Sequence, residues 1–223
     1  DNHGRVRWFY DGEYGHLLSR LDNGNLMIQE KERIVEINLL GWPRGPGITV
    51  PGGLHHDALE LPGGNFLALT SAMGSFEDAV VELDRQTGEL LRRWDFRNIL
   101  DPERPRQPVN LEERDWLHLN GVAYDAEDEA FIVSGRDQSA VVKVYRRTGR
   151  VDWILGNHRH WKEKHRPYLL QPKGEEFEWP WGQHAPAIHP HYTNRVLVYD
   201  NGNQRSYDSP LPAEKSYSRA VEY

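Results

Sequence analysis

The sequence contains a long-period repeat of strand and turn signals, and this repeat constrains the fold more than any other feature. His16 precedes Asn25 by nine residues in HLLSRLDNGN, and His56 precedes Asn65 by the same nine residues in HDALELPGGN. Further along, AVVELDRQTGELLRRW matches AVVKVYRRTGRVDW, and each stretch is typical of a strand, a Thr-Gly turn and a second strand. A repeat on this scale predicts the whole architecture rather than single elements.

Each repeating unit predicts about four strands in roughly 40 to 65 residues, which is the size of a β-propeller blade with insertions. We therefore predict an all-β fold, a β-propeller, in which this chain supplies about three and a half blades of four-stranded sheets. The predicted blades are residues 1–51, 52–114, 115–181 and, incomplete, 182–223. Because the pattern starts in a polar turn and stops within a strand, we expect a segment of a longer protein.

Composition and charge exclude several classes of partner. The formal net charge of −7 leaves no basic patch of the kind that nucleic-acid recognition needs. The absence of cysteine excludes a disulfide framework and a thiolate zinc site. No apolar run approaches the roughly 18 residues of a membrane span, and the first residues lack the apolar core of a signal peptide. Since an open propeller exposes two strand edges, we also expect a chain able to form a homo-oligomer.

A histidine stands near the start of each predicted unit. The first strand of each propeller blade lines the central channel, so equivalent residues of successive blades converge on the axis. The histidines concerned are His16, His55 or His56, His118 and His184. A buried histidine often only caps a strand through a hydrogen bond, and we assign that structural role to His16 because GHLLSR carries no second polar signal. The repetition predicts that the others form a cluster.

Polar residues beside these histidines favour an anion site. Asn120 follows His118 in DWLHLNGV, and Asp57 follows the HH pair in LHHDALEL. Arg136 in SGRDQSA ends a predicted strand at the inner edge of the third blade, and its guanidinium matches the oxygens of a carboxylate, phosphate or sulfate. The alternative interpretation is a surface arginine paired with Asp137, a common and weak contact.

Two further groups of residues have competing interpretations. The aromatic residues Phe177, Trp179 and Trp181 are suited to stacking on an aryl ring at the channel mouth, but packing beneath a long loop explains them equally well. Other histidines suggest metal binding, namely His158, His160 and His165 in one loop and His189 and His191 in another. We expect no metal there, because the first loop is basic and the second has no nearby carboxylate.

Seven ordered stretches resemble the successive motifs of the bacterial arylsulfate sulfotransferases, which do not depend on a nucleotide sulfate donor. They are LHHDALELPGGN, DWLHLNGV, SGRDQSAVVKV, WILG, GQHA, VYDNGNQR and YSRAVEY, from about Gly52 to Tyr223. The resemblance implies a six-bladed propeller with its site on the axis, in a protein exported to the bacterial periplasm. It implies aryl sulfates and phenols as substrates and no cofactor.

The resemblance also implies roles for single residues. His184 in GQHA resembles the histidine that becomes transiently sulfated, which implies ping-pong transfer through a sulfohistidine. His118, Arg136 and one of the pair His55 and His56 resemble its sulfuryl-binding neighbours. Aligning LHH with WLHL favours His55, whereas the nine-residue spacing favours His56. Ala185 departs from the family, where a hydroxyl residue is expected, and the chain has too few blades to close the ring.

Two other functions remain as alternatives at this point. A non-catalytic propeller module would bind an anionic or glycan ligand in the same channel without turnover. A metal-dependent propeller hydrolase, such as a lactonase, would need several channel carboxylates, and the sequence offers Asp57 as its candidate.

Overall fold

The chain forms a series of four antiparallel sheets, as shown by a computed structural model that describes residues 2–12, 15–106, 115–174, 177–189, 192–206 and 212–223. The first sheet contains β1 (Leu18–Arg20), β2 (Leu26–Glu30), β3 (Arg33–Ile37) and β4 (Ile48–Thr49). The second contains β5 (Ala58–Glu60), β6 (Phe66–Thr70), β7 (Ala79–Leu83) and β8 (Leu90–Asp95).

The other two sheets follow in chain order. The third contains β9 (Leu119–Asp125), β10 (Ala130–Gly135), β11 (Ala140–Tyr145) and β12 (Val151–Gly156). The last contains β13 (His184–His189), β14 (Tyr192–Asp200) and β15 (Arg219–Glu222). One turn of helix, α1 (Phe96–Ile99), and two 3-10 helices, Glu163–Tyr168 and Ala213–Lys215, connect the strands.

In every sheet the strands pair with their neighbours in chain order, as the blades of a propeller do. The arrangement of the sheets as propeller blades confirms the predicted all-β fold class. Each sheet lies inside one of the predicted segments 1–51, 52–114, 115–181 and 182–223. No helix in the described ranges is long and apolar enough to cross a lipid bilayer.

The outer hairpins form because their turns supply the required hydrogen bonds locally. Between β7 and β8, the carboxylate of Asp84 accepts the backbone amides of Gln86 and Thr87 at 2.9 and 2.7 Å. Gly88 then takes a φ of +73°, which favours glycine. Gly149 has a φ of +70° in the matching turn between β11 and β12, so the repeated sequence folds into a repeated hairpin.

The apolar core lies between neighbouring sheets. Leu67 and Leu69 of the second sheet pack with Val122, Phe131 and Val133 of the third in one continuous cluster. Separate clusters fill the spaces between the first and second sheets and between the third and fourth. Because burial of apolar side chains on both faces of a sheet contributes most of the stabilisation, each blade is fixed by its neighbours.

Buried polar contacts fix the inner strands of the third and fourth sheets against each other. The fully buried Gln183, just before β13, donates to the carbonyls of Gly135 and Ala140 at 3.3 and 3.1 Å. At Gly121 in β9, a side-chain Cβ atom would lie only 2.5 Å from the Cδ atom of Pro186. The two inner strands therefore approach as closely as a glycine allows, and this brings the start of β13 next to β9.

Candidate functional site

The histidines that precede the inner strands of the first three sheets meet in one cluster. The ring centroid of His56 lies 5.3 Å from that of His55 and 4.9 Å from that of His118. The ring of His16 stacks on His56 with a centroid separation of 5.7 Å. His184, at the start of β13, lies within electrostatic range of His118. The structure therefore brings together the histidines that the sequence singled out.

His56 repeats the position of His16. The carbonyl of Leu17 accepts a hydrogen bond from β2, and the carbonyl of Asp57 accepts the equivalent bond from β6. The residue after each histidine thus has the same place in its sheet. The nine-residue spacing in the sequence reflects this equivalence.

His55 repeats the position of His184. Each lies three residues before an alanine that pairs with the next strand, Ala58 with β6 and Ala187 with β14. The residue that follows each of these histidines has a positive φ, 51° in the second sheet and 48° in the fourth. The nine-residue spacing therefore identifies the position that His56 shares with His16, whereas His55 has the position of His184, and both histidines of the pair lie in the cluster.

His184 is oriented by two hydrogen-bond acceptors on its Nδ1 atom. This atom lies 2.7 Å from Oδ1 of Asn201 and 3.1 Å from the carbonyl oxygen of Gly182. Since both partners are acceptors, Nδ1 carries the hydrogen and Nε2 keeps its lone pair. Burial lowers the pKa of His184, and the charges of Arg136 and His118 lower it further, against the opposing effect of the two hydrogen bonds. The ring is therefore neutral at pH 7, with Nε2 available as a nucleophile.

Arg136 follows β10 and makes the contact with Asp137 that was one of the two alternatives, and anion binding stays a prediction. Its Nη1 atom lies 3.3 Å from Oδ1 of Asp137, and its backbone amide donates to the carbonyl of His118. The guanidinium is also close enough to His184 to influence its pKa. Burial raises the pKa of Asp137 to about 6, although Arg136 acts in the opposite direction. Arg136 thus supplies positive charge beside His184.

His118 differs electrostatically from the other histidines of the cluster. Its Nδ1 atom lies 2.6 Å from Oδ2 of Asp115 and 2.7 Å from Oε2 of Glu77. Burial opposes the charged form, but the contacts with the two carboxylates outweigh burial and raise the pKa of His118 to about 9. Burial lowers the pKa of His55 and, with neighbouring imidazoles, lowers that of His56 to about 4. His118 is therefore charged at pH 7, whereas His55 and His56 are neutral.

The predicted substrate-binding residues Asp57 and Asn120 make structural contacts between sheets. Oδ2 of Asp57 accepts the backbone amide of Val122 at 2.9 Å, and burial raises the pKa of Asp57 to about 6. The side-chain amide of Asn120 donates to the carbonyl of Gln183 at 2.9 Å. Both residues thereby hold inner strands of different sheets together. Direct contact of either residue with substrate stays a prediction.

The aromatic residues Phe177 and Trp179 pack on the outer side of the last two sheets. Their ring centroids are 4.7 Å apart, and further ring contacts join Trp179 to His158 and Phe177 to Tyr223. Trp181 is buried, with 7% of its surface exposed. These contacts agree with packing beneath a loop, and stacking on an aryl substrate stays a prediction.

Two overlapping groups of side chains have the composition of a metal site. They are His55, His56 and Glu77, and Glu77, Asp115 and His118, each with ligand atoms within 4.8 Å of one another. The sequence analysis named neither Glu77 nor Asp115. By contrast, His158 and His165 each donate from Nε2 to a backbone carbonyl, at 2.9 and 3.2 Å. His191, the second histidine of the HPH stretch, lies outside the described residues.

Sequence comparison identifies similar proteins across the whole chain. The relatives are the arylsulfate sulfotransferases AssT of Escherichia coli, 25% identical over 303 residues, and of Lelliottia amnigena, 26% identical over 298 residues. Each alignment covers 100% of this chain and 49% of the relative, so the chain spans about half the length of the curated relatives it matches.

Solved structures share the fold at low sequence identity. Hydrazine synthase of Kuenenia stuttgartiensis aligns with a TM-score of 0.55 and 9% identity, covering 98% of this chain and 49% of that one. A catalytically inactive virginiamycin B lyase of Staphylococcus aureus aligns with a TM-score of 0.50 and 12% identity, covering 92% of this chain and 54% of that one. These likenesses concern the fold alone. The family model described as Arylsulfotransferase (ASST) matches residues 1–223, and the chain therefore belongs to the arylsulfotransferase family.

Proposed function

We propose that this chain carries the reactive site of an enzyme that moves a sulfuryl group from an aryl sulfate to a phenol through a sulfated His184. Family membership supports aryl sulfotransfer in general. The observation that carries the finer proposal is the orientation of His184, whose Nδ1 atom faces two acceptors and leaves a neutral Nε2 beside two positive charges. A neutral imidazole is a competent nucleophile near pH 7.

In the first half-reaction, Nε2 of His184 attacks the sulfur atom. The nitrogen–sulfur bond forms, the bond from sulfur to the aryl oxygen breaks, and the phenolate leaves with the electron pair. Sulfuryl transfer resembles phosphoryl transfer, so positioning and charge stabilisation contribute most of the catalysis. In this proposal Arg136 and the charged His118 bind the sulfuryl oxygens, and His55 and His56 are the neutral imidazoles of the same cluster.

The acceptors on Nδ1 also stabilise the intermediate. Sulfation at Nε2 makes the His184 ring cationic, because Nδ1 keeps its hydrogen. Asn201 and Gly182 accept that hydrogen, and hydrogen bonds to a charged donor are stronger than those to a neutral one. In the second half-reaction, the acceptor phenol oxygen attacks sulfur, the nitrogen–sulfur bond breaks, and the phenol proton goes to solvent. The electron pair of the broken nitrogen–sulfur bond returns to Nε2, and the ring becomes neutral again.

The direct test measures release of 4-nitrophenol from 4-nitrophenyl sulfate by the intact protein, with and without phenol as acceptor. We expect phenol to accelerate release and to become sulfated, and double-reciprocal plots at several phenol concentrations to be parallel, as in ping-pong kinetics. Release that ignores phenol and yields inorganic sulfate would contradict the proposal. Loss of activity in a chelator would instead favour the metal-dependent hydrolase, which the two carboxylates near His118 make chemically reasonable.

The same proposal includes location and assembly. We propose that the protein acts in the bacterial periplasm and forms a homo-oligomer. Exposed apolar side chains on the first and last sheets support association, including Leu18 at 56%, Leu197 at 44% and Tyr199 at 49% exposure. Light scattering that shows a monomer at micromolar concentration would contradict the oligomer.

A further inference from the structure

Two carboxylates contact the same nitrogen of His118. Oδ2 of Asp115 lies 2.6 Å and Oε2 of Glu77 lies 2.7 Å from Nδ1. An ionised carboxylate only accepts hydrogen bonds, so Nδ1 must carry a hydrogen. Nε2 is then the ring nitrogen left to contact a ligand. Glu77 and Asp115 therefore orient the His118 ring through Nδ1, the nitrogen that does not face the ligand.

Glu77 is fixed in place from outside its own sheet. It lies between β6 and β7, where its backbone amide donates to Oγ of Ser71 and its carbonyl accepts the amide of Leu119 at 2.7 Å. Its φ is +50°, and that of His118 is +54°. Such conformations are strained in residues other than glycine and persist only where the surroundings enforce them. The backbone of the second and third sheets thus holds Glu77 and His118 in contact with each other.

We propose that Glu77 and Asp115 are positioning residues of the sulfuryl-transfer site, which hold His118 through Nδ1 and maintain its positive charge so that the Nε2 hydrogen is donated to a sulfuryl oxygen. The inference rests on the proposed function and gives a role to Glu77, which lies in none of the sequence motifs, and to Asp115, which begins the motif DWLHLNGV. It also explains why two carboxylates lie so near an anion site: each contacts the histidine rather than the space for the anion.

The charges around His118 agree with this role. The titratable or charged groups near its ring are Glu77, Asp115, Asp137, His55, His56, Arg136 and His184. Glu77 also lies near His56, but its Oε1 atom is 3.8 Å from Nδ1 of that ring, and the pKa of His56 falls to about 4. The carboxylate charge acts on His55 and His56 as well, but burial outweighs it there, whereas at His118 the two carboxylates outweigh burial and raise the pKa to about 9. Below pH 9 the ring is charged, and the charge is lost as pH rises through 9.

A metal ion is the rival explanation of this cluster. Zinc lies about 2.0–2.2 Å from nitrogen and oxygen ligands, and a tetrahedral site then separates neighbouring ligand atoms by roughly 3.4 Å. The two contacts of His118 at 2.6 and 2.7 Å are shorter than that, the first being a hydrogen bond with Asp115 and the second an ion-pair contact with Glu77. Direct contact of the histidine with both carboxylates is the better account.

The test is an NMR titration of the His118 imidazole in the intact protein, with His118→Gln to assign the signal. We expect wild-type His118 to be protonated at pH 7 and to titrate near pH 9. Glu77→Gln and Asp115→Asn should each lower the midpoint, and the double variant should bring it close to the ordinary value of about 6.5. Glu60→Gln, which removes a carboxylate paired with Arg85 at the end of β5, is the matched control and should leave the midpoint unchanged.

Each outcome of the titration decides the proposal. A wild-type midpoint near 6.5, or an unchanged midpoint in the double variant, would overturn it, and so would displacement of the His118 proton by added Zn²⁺ at neutral pH. The wild-type titration needs no variant, so the test survives a substitution that prevents folding. The titration does not depend on turnover. A midpoint near pH 9 in a protein without transferase activity would therefore refute the proposed function and leave the contacts of His118 with Glu77 and Asp115 standing.

The pH dependence of KM distinguishes a positioning role of Glu77 and Asp115 from a merely structural one. At pH 8, where wild-type His118 is still charged, the double variant Glu77→Gln/Asp115→Asn should raise the KM for 4-nitrophenyl sulfate by about tenfold or more. At pH 5.5 the ring is protonated in both proteins, and the difference should shrink to about twofold. An equal rise in KM at both pH values would indicate general damage to the site and would overturn the positioning role.

Discussion

Replacement of His184 by alanine is expected to reduce release of 4-nitrophenol from 4-nitrophenyl sulfate by about 10³-fold or more and to abolish the covalent sulfuryl adduct. The substitution removes Nε2, the atom that we propose forms the bond to sulfur. It leaves Arg136 and His118 in place, because their positions depend on β9 and β10 rather than on the His184 ring. The variant should therefore still bind the aryl sulfate while failing to react with it.

Mass spectrometry of the intact protein measures the adduct directly. After incubation with aryl sulfate and no acceptor, the wild-type protein should gain the mass of one sulfuryl group, and phenol should remove it. His189→Ala is the matched control, since His189 ends the same strand β13 and contacts the ring of Tyr192. The control should keep the adduct. An adduct that persists in His184→Ala, or that maps to another histidine, would contradict the mechanism.

The fold was predictable because its signals are local. Each Thr-Gly hairpin depends on a glycine with positive φ whose amide donates to the carbonyl four residues earlier, as Gly88 and Gly149 show. Alternation of such turns with short apolar strands repeats along the chain, and the repeat alone indicates a propeller. Most strands and turns of each blade are thus determined by residues that are close in the sequence.

The cluster of histidines was predictable for a different reason. In a propeller, equivalent positions of successive blades lie close together around the axis. A histidine near the start of each unit therefore predicts a cluster of histidines at the axis. The ambiguity between His55 and His56 came from the fold itself. The nine-residue spacing equates His56 with His16, as the strand pairing does, whereas the alignment of LHH with WLHL equates His55 with His118, whose positive φ matches that of His56 instead.

The surroundings of the cluster could not be predicted in the same way. Glu77 lies in a connection without a repeat signal and reaches His118 only through contacts between the second and third sheets. Asn201 lies in the turn Asp200-Asn201-Gly202. The sequence predicts that turn, but it does not predict that the Asn201 side chain contacts His184. Asp57 shows the opposite difficulty, since its position next to the HH pair favours a binding role, whereas its oxygen accepts the amide of Val122. Such pairings depend on how blades are stacked.

Replacement of Asp200 by alanine is expected to lower the free energy of unfolding by about 3–5 kcal/mol, the range for breaking a buried ion pair. Asp200 ends β14 and is fully buried. Its carboxylate accepts the amides of Trp181 and Gly202 at 2.8 and 2.9 Å and lies 3.3 and 2.8 Å from the guanidinium groups of Arg205 and Arg219. Removal leaves the buried amide donors without their acceptor and leaves the exposed Glu178 as the remaining carboxylate partner of the two guanidinium groups.

The loss should extend from stability to the site, because the two amides that Asp200 accepts flank the residues that orient His184. Trp181 precedes Gly182, and Gly202 follows Asn201, so both acceptors for Nδ1 of His184 depend on this carboxylate. Urea denaturation of the intact protein measures the stability change.

The control for Asp200→Ala is Glu222→Ala in the same sheet. It breaks an ion pair with Arg195 in which both side chains are exposed, at 49% and 39%, and exposed pairs contribute less than about 1 kcal/mol. Equal and small losses in the two variants would contradict the role of Asp200. A large loss in Asp200→Ala alone would mean that a buried charge network of the last sheet stabilises the segment that carries both acceptors for Nδ1 of His184, the proposed nucleophile.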